Sequence, residues 1–249
     1  MSLPSSRSAG PRLENRVAIV TGGGRGIGRA ICLEIAKEGA HVVVAARGLN
    51  EIERVASEIR DLGQAALAIV TDVSDEHSVS AMVNATLRTY GRIDILVNNA
   101  GITHLSCPVA EFDCVTWEKI ISVNLTGGFL CSRAVLTTMI AQQSGKIINV
   151  SSIRGRRGAA GRSAYAASKA AILNLTESLS EEVKRCGINV NAICPGAVDT
   201  RMMQELSPGR EPSTMIAPED IARVAVFLAS ADAKSIHGAI IDIFGNITG

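Results

Sequence analysis

Tyr165 and Lys169 are proton-exchanging side chains four residues apart, in a stretch whose apolar periodicity predicts a helix. At that spacing both side chains project from one face of the helix, about one turn apart. A tyrosine hydroxyl has an ordinary pKa of about 10, and acid/base work near neutral pH requires its phenolate to be favoured by roughly 4 kcal/mol. Because a neighbouring ammonium favours the phenolate, the pair is a candidate acid/base centre.

Two further polar residues complete a candidate catalytic set. Ser152 lies 13 residues before Tyr165, directly after a predicted strand, and its hydroxyl could donate to a substrate oxygen. Asn124 has two interpretations, as a fourth member of the site or as a residue that caps or kinks a predicted helix. Because the chain has only 2 tyrosines, chance is a poor explanation of the whole set.

A glycine-rich segment follows the first predicted strand and opens the first predicted helix. Glycine allows the backbone to turn tightly and to approach a phosphate, while the N–H groups at a helix start attract the anion. This position favours a dinucleotide site over a plain turn. The candidate phosphate-binding residues are Gly22, Gly24, Arg25, Gly26, Ile27 and Gly28.

The end of the second predicted strand bears on which nicotinamide dinucleotide binds. An acidic residue there would accept a hydrogen bond from the ribose 2′-hydroxyl of NAD(H), but the strand ends in Ala46 and is followed by Arg47. Arg47 and Arg25 could hold a 2′-phosphate through charge-assisted hydrogen bonds. The sequence therefore favours NADP(H). NAD(H) stays open, because both arginines could be plain surface residues.

Short branched-aliphatic runs alternate with segments of helical period, which is typical of βαβ units and of a parallel sheet with helices on both faces. The fold class predicted is therefore α/β. The predicted strands are Val17–Thr21, His41–Ala46, Ala65–Val70, Ile93–Val97, Lys146–Val150, Ile188–Ile193 and Ala239–Phe244. The helices predicted after the glycine-rich one are Glu51–Leu62, Asp75–Thr89, Trp117–Ala141, Tyr165–Arg185 and Pro218–Ala229, with Ser74 as one helix start.

Composition limits the classes of function. The chain has 249 residues, 47% of them hydrophobic, which predicts a single domain over residues 13–249 after a flexible tail at 1–12. A net charge of +1 and 3% aromatic residues provide no surface for nucleic acid.

No apolar run approaches the roughly 18 to 20 residues of a membrane span. The six cysteines lack metal-ligand spacing, so we expect a cytoplasmic protein with reduced thiols and no metal.

Taken in order, these motifs resemble the short-chain dehydrogenase/reductase family, over nearly everything from Leu13 to Gly238. The matching segments are Thr21–Gly28, Asp72–Val73, Asn98–Gly101, Asn124, Ser151–Ser152, Tyr165 with Lys169, and Pro195–Gly196 with Thr200. The resemblance implies a doubly wound Rossmann fold with a seven-stranded parallel sheet in the order 3-2-1-4-5-6-7. It also implies nicotinamide binding and redox chemistry on alcohols and carbonyls.

The same resemblance implies roles for single residues. Tyr165 exchanges the proton, Lys169 lowers the pKa of Tyr165 and holds the nicotinamide ribose, Ser152 orients the substrate oxygen, and Asn124 holds a water that links Lys169 to solvent. Further cofactor contacts are implied at Asp72, Val73, Asn98, Ala100, Gly101, Pro195, Gly196, Val198 and Thr200.

The substrate is the least constrained part of the interpretation. The motifs are most similar to those of 3-oxoacyl carrier-protein reductases and related ketoreductases, so a ketone or secondary alcohol is expected, with an acyl thioester as one candidate. An alcohol, sugar or steroid-type dehydrogenase that uses NAD(H) is the alternative within enzymes. A nucleotide sensor or scaffold without turnover is disfavoured, because it would not need the acid/base pair. A homo-oligomer, a tetramer or dimer, is implied by the resemblance alone.

Four arginines fall within residues 154–162, between the candidate serine and tyrosine. Arg154, two residues after Ser152, could pair with a substrate carboxylate or phosphate; the competing interpretation is a solvated loop or subunit contact. His104, three residues after Gly101, could line the substrate cavity or lie at the surface. Residues 198–217 contain Pro208, Gly209 and Pro212, which predicts an irregular surface loop in the substrate region.

Overall fold

A single parallel sheet organises the protein. The computed structural model describes residues 10–244, and its seven strands are hydrogen-bonded in the order β3-β2-β1-β4-β5-β6-β7, which confirms the predicted order. The strands are β1 (Val17–Thr21), β2 (His41–Ala46), β3 (Ala66–Val70), β4 (Ile95–Asn98), β5 (Gly145–Val150), β6 (Ile188–Pro195) and β7 (Ile240–Ile243). All neighbouring strands pair in parallel.

Helices pack on both faces of the sheet. They are α1 (Gly26–Lys37), α2 (Leu49–Asp61), α3 (Glu76–Tyr90), α4 (Cys114–Ile121), α5 (Gly127–Gln142), α6 (Ile153–Arg156), α7 (Ser163–Val183), α8 (Arg201–Leu206) and α9 (Pro218–Ala229). Successive strand residues point to opposite faces, so Ala18 and Val20 join the core under α1, α2 and α9. Ile19 joins the core under α3, α5 and α7. Burial on both faces explains why the strand sequences are apolar almost throughout.

The starts and ends of helices follow capping chemistry. The Asp75 side chain accepts hydrogen bonds of 3.1 Å from the backbone N–H groups of His77 and Ser78, which makes Asp75 the cap of α3. The prediction of a start at Ser74 is therefore wrong by one residue, because the carboxylate of Asp75 satisfies the free N–H groups. Gly39 adopts a φ of +90° just after α1, as expected for a residue that ends a helix.

The segment Cys114–Gln142 combines α4, a π-helical turn at Ser122–Thr126 and α5, where the sequence predicted one regular helix over Trp117–Ala141. It is long and apolar enough, by length and composition alone, to cross a membrane, so the expectation that no segment reaches that length is wrong. In this fold its residues Leu130, Val135 and Met139 are buried in the core under the sheet. A buried core helix explains its apolar composition.

Residues 198–217 are more regular than the predicted loop. The hydroxyl of Thr200 accepts a 3.3 Å hydrogen bond from the Met203 N–H and caps α8. An ion pair of 2.8 Å between Arg201 and Glu205, one turn apart, supports the same helix. These local contacts stabilise a helix that ends before Pro208 and Gly209. Those two residues are the ones that suggested a loop.

The two chain ends differ in what the structure describes. Most of the predicted tail, at residues 1–9, lies outside the described residues, as does the C-terminal segment 245–249. Arg12 is held by a 2.7 Å ion pair with Glu38, and Leu13 is buried. The domain boundary at residue 13 stays a prediction.

Candidate active site

A cleft of about 300 Å³ lies at the carboxyl ends of the strands, where β1 and β4 lie side by side and their connections depart in opposite directions. Ligands of doubly wound folds bind at this crossover. The predicted cofactor residues that line the cleft are Gly22, Gly24, Arg25, Gly26, Ile27, Gly28, Arg47, Asp72, Val73, Ala100, Gly101, Tyr165, Lys169 and Thr200. The cleft therefore brings the glycine-rich segment, the arginine corner and the acid/base pair together.

The glycine-rich segment forms a cradle that side chains would fill. Gly22 and Gly26 have φ angles of +65° and +54°, which glycine adopts without strain. A Cβ on Gly28 would lie 2.2 Å from the backbone oxygen of Gly22. The chain thus approaches the start of α1 closely and leaves its N–H groups facing the cleft, as a pyrophosphate requires.

Asn99 and Thr21 fix this cradle, and sequence reasoning assigned a role to neither. The Asn99 amide donates hydrogen bonds of 2.9 and 3.2 Å to the backbone oxygens of Thr21 and Gly22. The Thr21 hydroxyl accepts hydrogen bonds of 3.1 Å from the N–H groups of Asn99 and Ala100. These contacts tie the ends of β1 and β4 together. The pairing of β1 with β4 makes these contacts possible.

A charged corner closes the other end of the cleft. Arg25 and Arg47 both line it, together with Glu51 and Asp72. Arg25 lies 3.8 Å from Glu51, an acid in the first turn of α2 that the sequence analysis did not consider. Hydrogen bonds from Ser74 lower the pKa of Asp72, and the charge of Arg47 adds to the effect. Arg47 has no ion-pair partner within 4 Å among residues 10–244.

Four residues of the predicted cofactor set do not line the cleft itself. Asn98 is buried beneath it and donates hydrogen bonds of 2.9 Å to Ser132 and Asn149, which link β4, β5 and α5. Pro195 ends β6, and the Gly196 N–H donates 2.8 Å to the Ile243 oxygen of β7. Val198 is buried and pairs with Ile216. Their positions support the elements around the cleft.

The catalytic candidates converge at the ends of β5 and α7. The Lys169 Nζ donates a 2.8 Å hydrogen bond to the Val150 oxygen at the end of β5 and lies 5.8 Å from the centre of the Tyr165 ring. Ser152 begins the short helix α6, and its hydroxyl accepts a 3.1 Å hydrogen bond from the Arg154 N–H. The Ser152 side chain also lowers the pKa of Tyr165. A phenol, a hydroxyl and an ammonium therefore share one corner.

The protein's own groups hold the Tyr165 hydroxyl in its protonated form. Burial raises the pKa of Tyr165 above its ordinary value, while the hydrogen bond from Ser152 and the charge of Arg162 lower it by less. Burial also lowers the pKa of Lys169 to about 8. The Lys169 ammonium donates to the Val150 oxygen, and its expected effect on the pKa of Tyr165, which includes the charge of a bound oxidised nicotinamide, stays a prediction.

Asn124 occupies the middle of the π-helical turn and is buried. Its side-chain oxygen accepts a 2.8 Å hydrogen bond from the Ile102 N–H, and its amide donates to the Ile102 oxygen at 2.9 Å and to Ser168 at 3.0 Å. The side chain thus fixes the segment after β4 against α7. Asn124 lies where its helix is distorted and contacts the helix that carries Tyr165, and its role as a fourth member of the site stays a prediction.

The two predicted substrate residues lie apart from the cleft lining. Arg154 is exposed. His104 is buried, its ring packs edge-on against Phe112 with 4.6 Å between ring centres, and its Nδ1 lies 2.7 Å from the Leu105 oxygen. Arg162, which the sequence analysis counted only as one of four arginines, is the member of the cluster whose charge acts on Tyr165. Among residues 10–244 no group of three or more metal-ligating side chains is present.

Comparisons with known proteins agree with this geometry. The family model for short chain dehydrogenase matches residues 16–211. The cis-4-hydroxycyclohexanecarboxylate dehydrogenase of Sinomonas cyclohexanicum is 40% identical over 96% of this chain and 99% of its own. The 3-oxoacyl-[acyl-carrier-protein] reductase FabG of Thermotoga maritima is 36% identical over 95% of this chain and 99% of its own.

Solved structures give the same answer for the fold. The crystal structure of levodione reductase superposes with a TM-score of 0.90 at 35% identity, covering 94% of this chain and 98% of the other. The chain belongs to the short-chain dehydrogenase/reductase family, the NAD(P)-dependent oxidoreductases that interconvert CH–OH and C=O groups.

Proposed function

We propose that the protein is an NADP(H)-dependent reductase of a ketone, with Tyr165 as the proton donor to the carbonyl oxygen. The observation that carries this proposal is the geometry of Tyr165 and Lys169, which line the nucleotide cleft together with the Lys169 Nζ 5.8 Å from the centre of the Tyr165 ring. When bound in the cleft, the nicotinamide supplies the hydride, and in its oxidised form it adds a positive charge beside the phenol.

Four side chains have proposed roles in binding the substrate and in transferring the proton. Ser152 donates a hydrogen bond to the substrate oxygen, which fixes its position and offsets the negative charge that develops there. Tyr165 gives its proton to the same oxygen. Lys169 lies beneath the ring, where its ammonium stabilises the phenolate that remains, and it holds the nicotinamide ribose hydroxyls. Asn124 holds the backbone at Ile102 and so preserves the shape of this corner.

The direction of the reaction follows from the protonation state. Because burial raises the pKa of Tyr165, the residue is a proton donor at neutral pH and becomes an acceptor only as pH rises through that pKa. We therefore propose that ketone reduction is favoured near neutral pH. Alcohol oxidation should accelerate at higher pH, since oxidation requires the phenolate.

The preference for NADP(H) rests on the charged corner. Arg47 and Arg25 line the cleft beside the end of β2, and the last residue of that strand is Ala46 rather than an acidic residue. A 2′-phosphate would gain charge-assisted hydrogen bonds from Arg47 and would draw Arg25 away from its 3.8 Å contact with Glu51. Glu51 favours NAD(H) instead if its carboxylate accepts from a ribose 2′-hydroxyl, and this is the second candidate.

Relatives suggest two classes of substrate. FabG is named for 3-oxoacyl groups on a carrier protein, and the relative from Sinomonas cyclohexanicum is named for a hydroxy acid with a free carboxylate. We propose a ketone of one of these two classes.

A homo-oligomer is also proposed, with the exposed Val115 and Trp117 of α4 and Phe129 of α5 as part of its contact surface. Light scattering that reports a monomer would contradict that proposal.

The test is consumption of NADPH or NADH with a panel of ketones that includes acyl thioesters, oxo acids, sugars and neutral ketones. We expect turnover with at least one ketone and a higher kcat/KM with NADPH. Nucleotide binding without turnover of any panel member would favour the sensor or scaffold alternative. A higher kcat/KM with NADH would favour the Glu51 arrangement.

A further inference from the structure

The dipeptide Gly161–Arg162 joins the segment after β4 to the start of the catalytic helix α7. The Cys107 N–H donates a 3.1 Å hydrogen bond to the Gly161 oxygen, and Gly161 has a φ of +69°. The guanidinium of Arg162 donates to the backbone oxygen of His104. Arg162 thus fixes residues 104–107, in the segment after β4, against the helix that carries Tyr165.

Among residues 10–244, no carboxylate lies within 4 Å of the Arg162 guanidinium. By contrast, Arg156 in the same cluster lies 3.4 Å from Asp242. A partly buried cation without a counter-ion is costly to hold in a fold.

Arg162 also lies beside the reacting group. It stands three residues before Tyr165, which is one helical turn, and its charge is one of the two influences that lower the pKa of Tyr165. Lys169 is a second charged group near the phenol, with its Nζ 5.8 Å from the centre of the ring. Arg157 and Arg154, the other arginines of the cluster without an ion pair in the described residues, are exposed.

We propose that Arg162 binds a carboxylate of the substrate and so selects oxo acids over neutral ketones. An arginine has five N–H donors in a planar fork, and the bond to His104 leaves others free for a carboxylate. The carboxylate would neutralise a charge that has no carboxylate partner among residues 10–244, and it would anchor the substrate near the start of the helix that carries Tyr165. The inference rests on the proposed function and names its substrate class.

The test uses ligands that cannot react. Cyclohexanecarboxylate and its neutral methyl ester have no ketone or alcohol, so calorimetry on the protein saturated with NADP⁺ measures binding alone. We expect the wild type to bind the acid more tightly than the ester. Arg162→Gln keeps an N–H donor for the His104 oxygen but removes the charge, and should weaken acid binding about 10- to 100-fold. Its affinity for the ester should stay within twofold.

Two variants control the experiment. Arg162→Lys keeps the charge and should retain part of the preference for the acid. Arg157→Gln removes an exposed charge from the same segment and should bind both ligands as the wild type does. The proposal is overturned if the wild type binds acid and ester equally, or if Arg162→Gln weakens the two ligands to the same extent.

A kinetic readout separates a role in recognition from a role in structure. For 4-oxocyclohexanecarboxylate, Arg162→Gln should raise KM more than it lowers kcat, and the pH at which oxidation reaches half its maximal rate should rise. The ethyl ester of the same ketone should show only the pH effect. If no ketone turns over, the proposed function fails, whereas the calorimetric comparison still decides whether Arg162 binds carboxylates.

Discussion

The Nζ atom of Lys169 lies 5.8 Å from the centre of the Tyr165 ring and donates its 2.8 Å hydrogen bond to a backbone carbonyl, that of Val150. The lysine is therefore anchored to the end of β5 beneath the cleft. From that position it acts on the phenol through its charge. Burial lowers the pKa of Lys169 to about 8, so the ammonium is the main form at neutral pH and loses its proton in the range where oxidation should be fastest.

The buried ammonium of Lys169 has a measurable cost in stability. At pH 7 the group is protonated in both the folded and the unfolded protein, and a folded pKa of about 8 against 10.5 corresponds to about 3 kcal/mol of destabilisation. The cost disappears as pH rises from about 8 to about 10.5, because the unfolded state then binds more protons. The free energy of unfolding of wild type should therefore rise relative to that of Lys169→Met over this range.

Urea unfolding of the ligand-free protein at a series of pH values measures this difference. Lys119→Met, at an exposed lysine of α4, is the matched control and should differ from the wild type by a constant amount. A difference between wild type and Lys169→Met that does not change between pH 8 and 10.5 would contradict a depressed pKa for Lys169.

Arg47 should decide between the two nicotinamide cofactors. Arg47→Asp removes a donor to a 2′-phosphate and adds repulsion, so the ratio of kcat/KM for NADPH to that for NADH should fall about 10- to 100-fold. Steady-state kinetics with both cofactors measures the ratio. Arg88→Asp makes the same change at an exposed position of α3 and should leave the ratio as it is. A ratio unaffected by Arg47→Asp would count against the NADP(H) assignment.

Gly28 tests the phosphate cradle. In Gly28→Ala the new Cβ would meet the Gly22 oxygen at 2.2 Å, so the glycine-rich segment must shift away from its position. We expect nucleotide affinity, measured by quenching of protein fluorescence, to fall at least about tenfold. Gly158→Ala places a Cβ where no atom lies within 4 Å and should bind as the wild type does. Equal affinity of both variants would exclude the cradle as the nucleotide site.

Arg154 offers a direct comparison with Arg162. Because Arg154 is exposed and contributes its backbone N–H to the Ser152 hydroxyl, Arg154→Ala should keep that contact and change kcat/KM for acidic and neutral ketones by less than about twofold. Kinetics with an oxo acid and its ester checks this. A selective loss of activity on the acid would place the anion-binding role at Arg154 and revive the hypothesis drawn from the sequence.

The sequence predicted the strands well because each is a continuous apolar run, buried on both faces. It also predicted that Tyr165 and Lys169 lie together, because one helix suffices to bring them there. The contacts that the sequence did not predict join segments that are distant along the chain. Asn99 contacts Thr21 across paired strands, and Arg162 acts through His104, 58 residues away along the chain. The effect of burial, which raises the pKa of Tyr165, also depends on the packing of distant segments.

The most direct measurement of the central claim is the reductase activity of Tyr165→Phe, which removes only the hydroxyl that is proposed to give the proton. With NADPH and the best ketone of the panel, kcat should fall about 10²- to 10⁴-fold, while NADPH affinity stays within about twofold. A variant that retains kcat within a few-fold of the wild type would contradict the proposal that this hydroxyl protonates the substrate.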